Sequence, residues 1–89
     1  KGTIQTVYTL LNGEYEFIEA EIIETSELIN KSLKDSNLPK EVRIGAILRD
    51  NDIIIPRSNF VFKKKDLVVF LSKRDELAKV ENIFRISSF

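Results

Sequence analysis

Residues 44–59 read IGAILRDNDIIIPRSN and contain the clearest strand–turn–strand pattern of the chain. Apolar residues alternate over residues 42–49, which predicts a strand. One face of it would carry Val42, Ile44, Ala46 and Leu48, and the other Arg43, Gly45, Ile47 and Arg49. Asp50-Asn51 predicts a turn. Residues 53–55 predict a second short strand, which ends at Pro56 because proline lacks the backbone N–H that strand pairing needs.

An N-terminal hairpin is predicted around Asn12-Gly13. Both residue types tolerate a positive φ, so this dipeptide is a strong hairpin signal, and residues 3–11 and 15–23 flank it with β-forming side chains. In the second strand the apolar residues change face midway, with Tyr15 and Phe17 on one side and Ile18, Ala20 and Ile22 on the other. The change indicates either a bulge near Phe17 or different partners on the two faces of the strand.

Two helices are predicted. Ser26 is a favourable N-cap for the first one, which would end at Leu38-Pro39 because the residue before proline avoids helical geometry. Its apolar side would be Leu28, Ile29 and Leu33, although Asn30 could divide it into two turns. The second helix covers residues 74–84, where Leu77, Val80 and Phe84 recur on one helical face, and residues 85–89 follow as a short tail.

Residues 67–71 read LVVFL and are apolar on both faces, which is typical of a central strand covered on both sides. Two helices have difficulty covering both faces of a sheet. The second face is therefore expected to meet another subunit or, alternatively, the opening hairpin folded over it. Together the elements predict an α+β fold, with a small, mostly antiparallel sheet of four to five strands, an N-terminal hairpin and two helices.

Length and composition are those of one small globular domain, residues 1–89. The hydrophobic fraction of 43% and the charged fraction of 31% argue against disorder. The chain begins Lys1-Gly2 and contains no methionine, so we expect a domain cut from a longer protein. No apolar run approaches the length of about 20 residues that a membrane-spanning helix needs, and no signal-peptide pattern is visible.

The residue types exclude several kinds of chemistry. The chain has no cysteine and no histidine, so it has no disulfide, no thiolate zinc site and no histidine-dependent triad, and we expect neither an enzyme nor a metal site. Its 14 basic and 14 acidic residues balance, whereas nucleic-acid binders usually carry a basic excess. No nucleic-acid partner is therefore expected. The basic run at residues 63–65 is interpreted as a solvated loop rather than a contact to an acidic partner or a lipid surface.

Three groups of polar side chains are candidates for binding. Alternate carboxylates could offer oxygens to Ca²⁺ or Mg²⁺, but they lack a calcium-loop spacing and are interpreted as a solvated acidic face. They are Glu14, Glu16, Glu19 and Glu21. The polar residues 50–52 are interpreted as forming local turn hydrogen bonds. Arg43, Arg49 and Arg57 could bind an anion, although no glycine-rich phosphate loop accompanies them, and Arg49 is interpreted as an ion-pair partner.

Several segments carry a family resemblance over nearly the whole chain. They are residues 26–33, Leu38-Pro39, and residues 44–49, 54–57, 66–70 and 80–84. In this order they resemble the TrkA-C domain, also called the RCK C-terminal domain, a regulatory domain of bacterial potassium-uptake proteins. The family often has glycine where this chain has Asn30, Ser58 and Lys65. Asparagine is the natural substitute for glycine where the backbone needs a positive φ.

The resemblance implies a regulatory and assembly domain without catalysis, in a cytoplasmic subunit at the inner face of the plasma membrane. Such domains follow a Rossmann-type domain, so NAD or ATP would bind that missing N-terminal domain, and no cofactor would bind residues 1–89. They pair as homodimers within a ring that gates an integral-membrane potassium transporter. Some relatives bind cyclic di-AMP between two such domains, and the equivalent residues in this chain would be Arg43, Ile44, Ile55 and Pro56.

Two alternatives accompany this interpretation. The same domain could be attached to a different transporter, such as an anion or amino-acid exchanger. The chain could instead be a sensor that binds a cyclic dinucleotide, a nucleotide or an ion at a dimer interface.

Overall fold

The computed structural model describes the backbone of residues 4–84 and the side chains of residues 8–84. The strands and the α-helix are β1 (Ile4–Leu10), β2 (Tyr15–Glu21), β3 (Arg43–Arg49), β4 (Asp52–Ile54), β5 (Leu67–Lys73) and α1 (Leu77–Phe84). Short 3₁₀ turns lie at Leu33–Asp35 and Arg74–Glu76, and a left-handed turn lies at Leu11–Gly13. The strands pair in the order β1-β2-β5-β3-β4, and each pair is antiparallel. The predicted α+β fold is confirmed with five strands, and the predicted tail at residues 85–89 lies outside the described residues.

The core lies on one face of the sheet, called the core face. Ile18, Val68 and Phe70 of the sheet and Phe84 of α1 are completely buried there. The rings of Phe70 and Phe84 stack with their centroids 5.4 Å apart. Loop side chains and the rest of α1 complete the cluster with Leu28, Phe62 and Val80. Burial of each such side chain contributes roughly 1.5–3 kcal/mol, and the apolar face predicted for α1 is confirmed.

The predicted N-terminal hairpin is confirmed. Its loop runs through Leu11–Gly13, whose φ angles of 50°, 56° and 93° are all positive. The register shifts between Thr6 and Tyr8, opposite Phe17. The extra residue of this bulge lies on β1, whereas β2 pairs with β5 without a shift. A bulge of β2 itself near Phe17 is therefore wrong, and the two apolar groups of β2 lie on different faces of a regular strand. The hairpin continues the sheet beside β5, so the alternative that it folds over the second face of β5 is wrong.

The first predicted helix is wrong as a continuous helix, and the alternative of two turns divided at Asn30 is confirmed. Residues 26–36 form successive turns and one 3₁₀ turn. Asn30 has a φ of 66°, which interrupts a helix. Its N–H donates to the carbonyl of Phe62 at 3.0 Å, and the N–H of Glu27 donates to the carbonyl of Ile83 at 3.1 Å. The segment thus satisfies its backbone groups by pairing with distant loops and with α1.

β3 changes face at Gly45. Directly opposed residues of antiparallel strands share a face, and Ile44 and Ile47 both lie opposite buried residues of β5. The register shift between Ile44 and Ala46 makes Gly45 the extra residue of a bulge. The single alternating face predicted for this strand is therefore wrong beyond Ile44. Ile47 lies on the core face, and Ala46 and Leu48 lie on the opposite one.

The turn that follows β3 is confirmed. Asp50 adopts a φ of 56°, a conformation that aspartate tolerates, and residues 50–52 are exposed. The short second strand begins one residue earlier than predicted, at Asp52, and ends at Ile54.

Candidate functional site

The face of the sheet opposite the core, called the outer face, is also largely apolar. Leu67, Val69 and Leu71 of β5 are only partly buried on it. Larger exposed fractions belong to Tyr8 (61%), Phe17 (38%), Leu48 (37%) and Ile53 (72%). The prediction that the doubly apolar strand is central in the sheet is confirmed, and its second face retains exposure in the single chain.

A cavity of about 490 Å³ lies beside the start of β3. Its lining is Leu33, Lys34, Ser36, Asn37, Leu38, Pro39, Lys40, Val42, Arg43 and Ile44. The loop that forms one wall is fixed by local hydrogen bonds, since Ser36 Oγ donates to the carbonyl of Leu33 at 2.7 Å and Val42 N–H donates to that of Pro39 at 3.0 Å. Asn37 turns this loop with a φ of 58°.

The cavity combines positive charge with apolar wall. Lys34, Lys40 and Arg43 are its charged members, and none of the described residues that line it is acidic. The guanidinium of Arg43 donates to the carbonyls of Lys40 and Val42, which holds it at the edge of the loop. Such a cavity suits an anionic ligand with an apolar part, because the cations can pair with phosphate or carboxylate oxygens.

The structure brings together two of the four predicted ligand residues. Arg43 and Ile44 line the cavity, whereas Ile55 and Pro56 are outside its lining. Ile55 follows directly after β4 and has 72% of its surface exposed. The preceding strand β4 pairs with β3 through Ile54 and Ile47, so Ile55 and Pro56 follow the strand that neighbours Arg43 and Ile44 of β3. The sequence analysis did not predict that Lys34, Asn37 and Lys40 also line the cavity. The available signal was that these polar residues lie close to Leu38-Pro39 in the sequence.

Arg49 and Asp66 form a two-point ion pair between β3 and the start of β5. Arg49 Nε donates to Asp66 Oδ1 at 2.8 Å, and Nη2 donates to Oδ2 at 2.7 Å. Asp66 is 1% exposed and also accepts the backbone N–H of Lys63 at 2.9 Å. Arg49 Nη2 reaches the carbonyl of Val61 at 2.9 Å, and its guanidinium lies 4.8 Å from the ring centre of Phe60. The pair therefore anchors the loop between β4 and β5 to β3.

The hydrogen bond and the charge of Asp66 raise the pKa of Arg49, against an opposing effect of burial. A raised pKa in the folded state means that the stabilisation is complete below the unfolded value and is lost only as the pH rises through the higher one. The contact is therefore structural at physiological pH. The interpretation of Arg49 as an ion-pair partner is confirmed, with Asp66 as the partner.

Glu16 departs from the predicted acidic surface. It is 5% exposed, and its Oε2 lies 3.2 Å from Nη2 of Arg74. Arg74 also donates its backbone N–H to the carbonyl of Glu14 at 2.9 Å. The interpretation of all four glutamates as a solvated face is therefore wrong at Glu16, which helps fix the hairpin to the segment that leads into α1.

Residues 4–84 show neither a metal-binding cluster nor a membrane-spanning helix. Within that part of the chain, no group of three or more histidine, cysteine, aspartate or glutamate side chains could hold a metal ion. No helix among the same residues is long and apolar enough to cross a membrane.

Comparison with known proteins identifies the family. The model of the TrkA-C domain matches residues 17–85. This chain belongs to the TrkA-C domain family. The match runs from Phe17, within β2, to the end of α1 and includes the cavity and the Arg49–Asp66 pair, so the resemblance seen in the sequence is confirmed.

Several curated proteins similar to this chain are TrkA proteins. The chain is 40% identical over 87 residues to the Trk system potassium uptake protein TrkA of Azorhizobium caulinodans, covering 98% of the chain and 19% of the relative. It is 37% identical to the TrkA homolog of Archaeoglobus fulgidus over 79 residues, which are 89% of this chain and 18% of that relative. For TrkA of Haemophilus influenzae the identity is 33%, with 100% and 20% covered. The chain thus spans about a fifth of the length of these relatives.

Solved structures agree with the fold. The GsuK RCK domain superimposes with a TM-score of 0.78 over 94% of this chain and 18% of that one, at 15% identity. A structure of the RCK_C domain dimer of S. agalactiae BusR in complex with c-di-AMP has a TM-score of 0.66 and 25% identity, with 78% of this chain and 95% of that chain covered.

Proposed function

We propose that this chain is a non-catalytic regulatory and assembly domain of a longer cytoplasmic subunit that controls a membrane potassium-uptake system. The observation that carries the proposal is 40% identity to a TrkA protein across 98% of the chain. Because the chain corresponds to about a fifth of such a protein, the remainder would include the Rossmann-type domain that binds NAD or ATP. The subunit would act at the inner face of the plasma membrane on an integral-membrane potassium transporter.

The test removes the domain from the longer protein. The full-length subunit is expressed in bacteria that lack their own TrkA, and tracer uptake is measured at limiting potassium. Deletion of residues 1–89 should abolish regulated uptake, and replacement of these residues by the matching segment of the Azorhizobium caulinodans relative should restore it. Unchanged uptake after the deletion would contradict the proposal. Restoration by the replacement separates loss of this domain from general misfolding.

A second candidate function is the sensing of a cyclic dinucleotide. The cavity beside β3 supports it, since Lys34, Lys40 and Arg43 could pair with phosphates while Leu38 and Ile44 contact a base. The c-di-AMP complex of the BusR domain, at 25% identity, favours this ligand class. Ile55 and Pro56, which follow β4, would extend the site.

Calorimetry of the 89-residue chain with c-di-AMP tests this candidate. Arg43→Ala should weaken binding by about ten-fold or more, because a charge-assisted hydrogen bond to phosphate is lost. Lys79→Ala is the matched control, since it removes one exposed cation from α1, outside the cavity. No heat of binding from the unmodified chain, or equal losses in both variants, would contradict it.

A further inference from the structure

We propose that β1 pairs with an extended segment of the longer subunit, from outside residues 1–89, which joins the sheet as a sixth strand. The proposal rests on the proposed function only in that the chain is part of a longer subunit. It is carried by the unprotected edge of β1 and by the position of this strand relative to the part of the chain that the family model matches.

The two edges of the sheet differ in their protection against a further strand. The edge strand β4 has three residues, carries the charge of Asp52 and is followed by Pro56, two residues beyond its end. Short length, charge and proline are features that keep an edge from pairing. The other edge strand, β1, has seven residues and contains neither a charged residue nor a proline. Its bulge between Thr6 and Tyr8 interrupts this edge once, and residues 8–10 pair regularly beyond it.

β1 presents backbone groups that need a partner. It lies at the end of the strand order and, among residues 4–84, pairs only with β2. The N–H and C=O groups of successive residues point alternately to the two edges of an antiparallel strand, so about half of those in β1 point away from β2. Tyr8 and Thr9, whose side chains lie on opposite faces, are both exposed. An added strand would therefore reach the edge of β1 without displacing another described element.

β1 lies outside the part of the chain that the family model matches. That model begins at Phe17, within β2. The match to the Azorhizobium caulinodans relative extends over 87 of the 89 residues, so it includes β1. The chain covers only 19% of this relative. The strand thus accompanies the long subunits, which indicates a role toward the rest of the subunit.

The occupant is assigned to the same polypeptide because attachment compensates for weak pairing. Two strands that pair in isolation are marginally stable in water. A segment with a short flexible connection has an effective concentration of about 1 mM, at which even weak pairing is populated. The uncharged edge of β1 offers no electrostatic attraction to a separate partner. We expect the segment to be rich in β-branched or aromatic residues and free of proline at its pairing positions.

Hydrogen exchange in the full-length subunit and in the 89-residue chain tests the proposal. The N–H groups on the free edge of β1 should exchange rapidly in the 89-residue chain and at least about ten-fold more slowly in the full-length subunit. Equal exchange of β1 in the two proteins overturns the proposal. Protection in the 89-residue chain that increases with protein concentration also overturns it, because a second copy would then supply the added strand.

Photo-crosslinking in the full-length subunit identifies the occupant. Thr9 is replaced by p-benzoylphenylalanine, since its side chain is exposed on β1, and mass spectrometry identifies the cross-linked peptides. A cross-link within one subunit to a segment outside residues 1–89 is expected. A cross-link only to a second copy or to another protein, or none at all, overturns the proposal. The same label at Ser58, which is exposed on the loop between β4 and β5, is the matched control and should not give this cross-link.

Two neighbouring prolines test whether the contact is strand pairing. Because successive N–H groups alternate in direction, one of Tyr8→Pro and Thr9→Pro removes a hydrogen bond to β2, and the other removes only an N–H on the free edge. The first should destabilise the 89-residue chain in urea unfolding, and the second should not. In the full-length subunit, the variant that leaves the 89-residue chain stable should abolish the slow exchange of β1. Slow exchange that persists in this variant overturns strand pairing.

The outcomes separate this proposal from the proposed function. If β1 exchanges equally in both proteins while deletion of residues 1–89 still abolishes potassium uptake, the regulatory function stands and the sixth strand is wrong. If β1 is protected and cross-linked as expected while uptake ignores the deletion, the sixth strand stands and the function is wrong. Circular dichroism of every variant confirms that the substitutions leave the domain folded.

Discussion

The two faces of β5 have similar hydropathy and different surroundings. Val68 and Phe70 point to the core face and are completely buried by the chain itself. Leu67, Val69 and Leu71 point to the outer face and stay partly exposed. An apolar strand therefore indicates that both of its faces will be covered. It does not identify what covers each face. One face of this sheet is completed by folding, and the assembly role proposed above would complete the other.

The largest expected effect on stability comes from substituting two neighbouring residues of β5 that lie on opposite faces of the sheet. Phe70→Ala should lower the free energy of unfolding by about 3–5 kcal/mol, because it removes a ring from the core. Leu71→Ala should cost about 1 kcal/mol or less, since its side chain remains partly exposed. Urea unfolding followed by circular dichroism, at a low protein concentration, measures both. Equal losses would contradict the distinction between the faces.

A smaller effect concerns the loop that covers the core face. Asp66→Asn should cost about 2–3 kcal/mol, because Arg49 and the N–H of Lys63 lose a buried carboxylate. Arg49 has 27% of its side chain exposed, and water reduces the loss. The same unfolding measurement on Glu24→Gln is the control, since its pair with Lys64 is exposed and should contribute about 0.5 kcal/mol or less. Similar losses of unfolding free energy in Asp66→Asn and Glu24→Gln would contradict a stabilising role for the burial of Asp66.

The smallest effect tests the same loop through its backbone. Lys65 has a φ of 77°, and its N–H donates to the carbonyl of Ile22 at 2.7 Å. Lys65→Gly should stabilise the domain by about 0.5–1 kcal/mol, because glycine adopts this conformation without strain. Lys64→Gly removes the same side chain at a neighbouring exposed position without a positive φ, and should not stabilise. Thermal unfolding gives the order, and a loss of stability in Lys65→Gly would contradict this explanation.

Local signals in the sequence predicted much of the fold. Asn12-Gly13 located the hairpin, the spacing of Leu77, Val80 and Phe84 located α1, and the doubly apolar run located the central strand. The predictions failed where distant contacts decide the backbone. Residues 26–36 have the composition of a short helix, but Asn30 pairs with Phe62 and Glu27 with Ile83 instead. A glycine inside a strand was the available signal for the bulge in β3.

The candidate sites show the same limit. Arg43 and Ile44 come from one strand start, so the sequence could place them together, and both line the cavity. Asp66 lies 17 residues from Arg49, and Arg74 lies 58 residues from Glu16. Pairs at such separations depend on which strands become neighbours, and the strand order cannot be read from local patterns. The open edge of β1 likewise appears only once the strand order is known.

The strand order also sets when the domain can form. β5 is the last strand along the chain, yet it occupies the middle of the sheet and pairs with β2, as in Tyr15 opposite Lys73. The hairpin can form early from local contacts, but it must wait for β5 before it joins the rest of the sheet. The long loop between β2 and β5 must close before the contacts between these strands form. The conformational entropy lost in closing it slows folding. We expect refolding in milliseconds to seconds, and during synthesis the core can close only after residue 84 has left the ribosome.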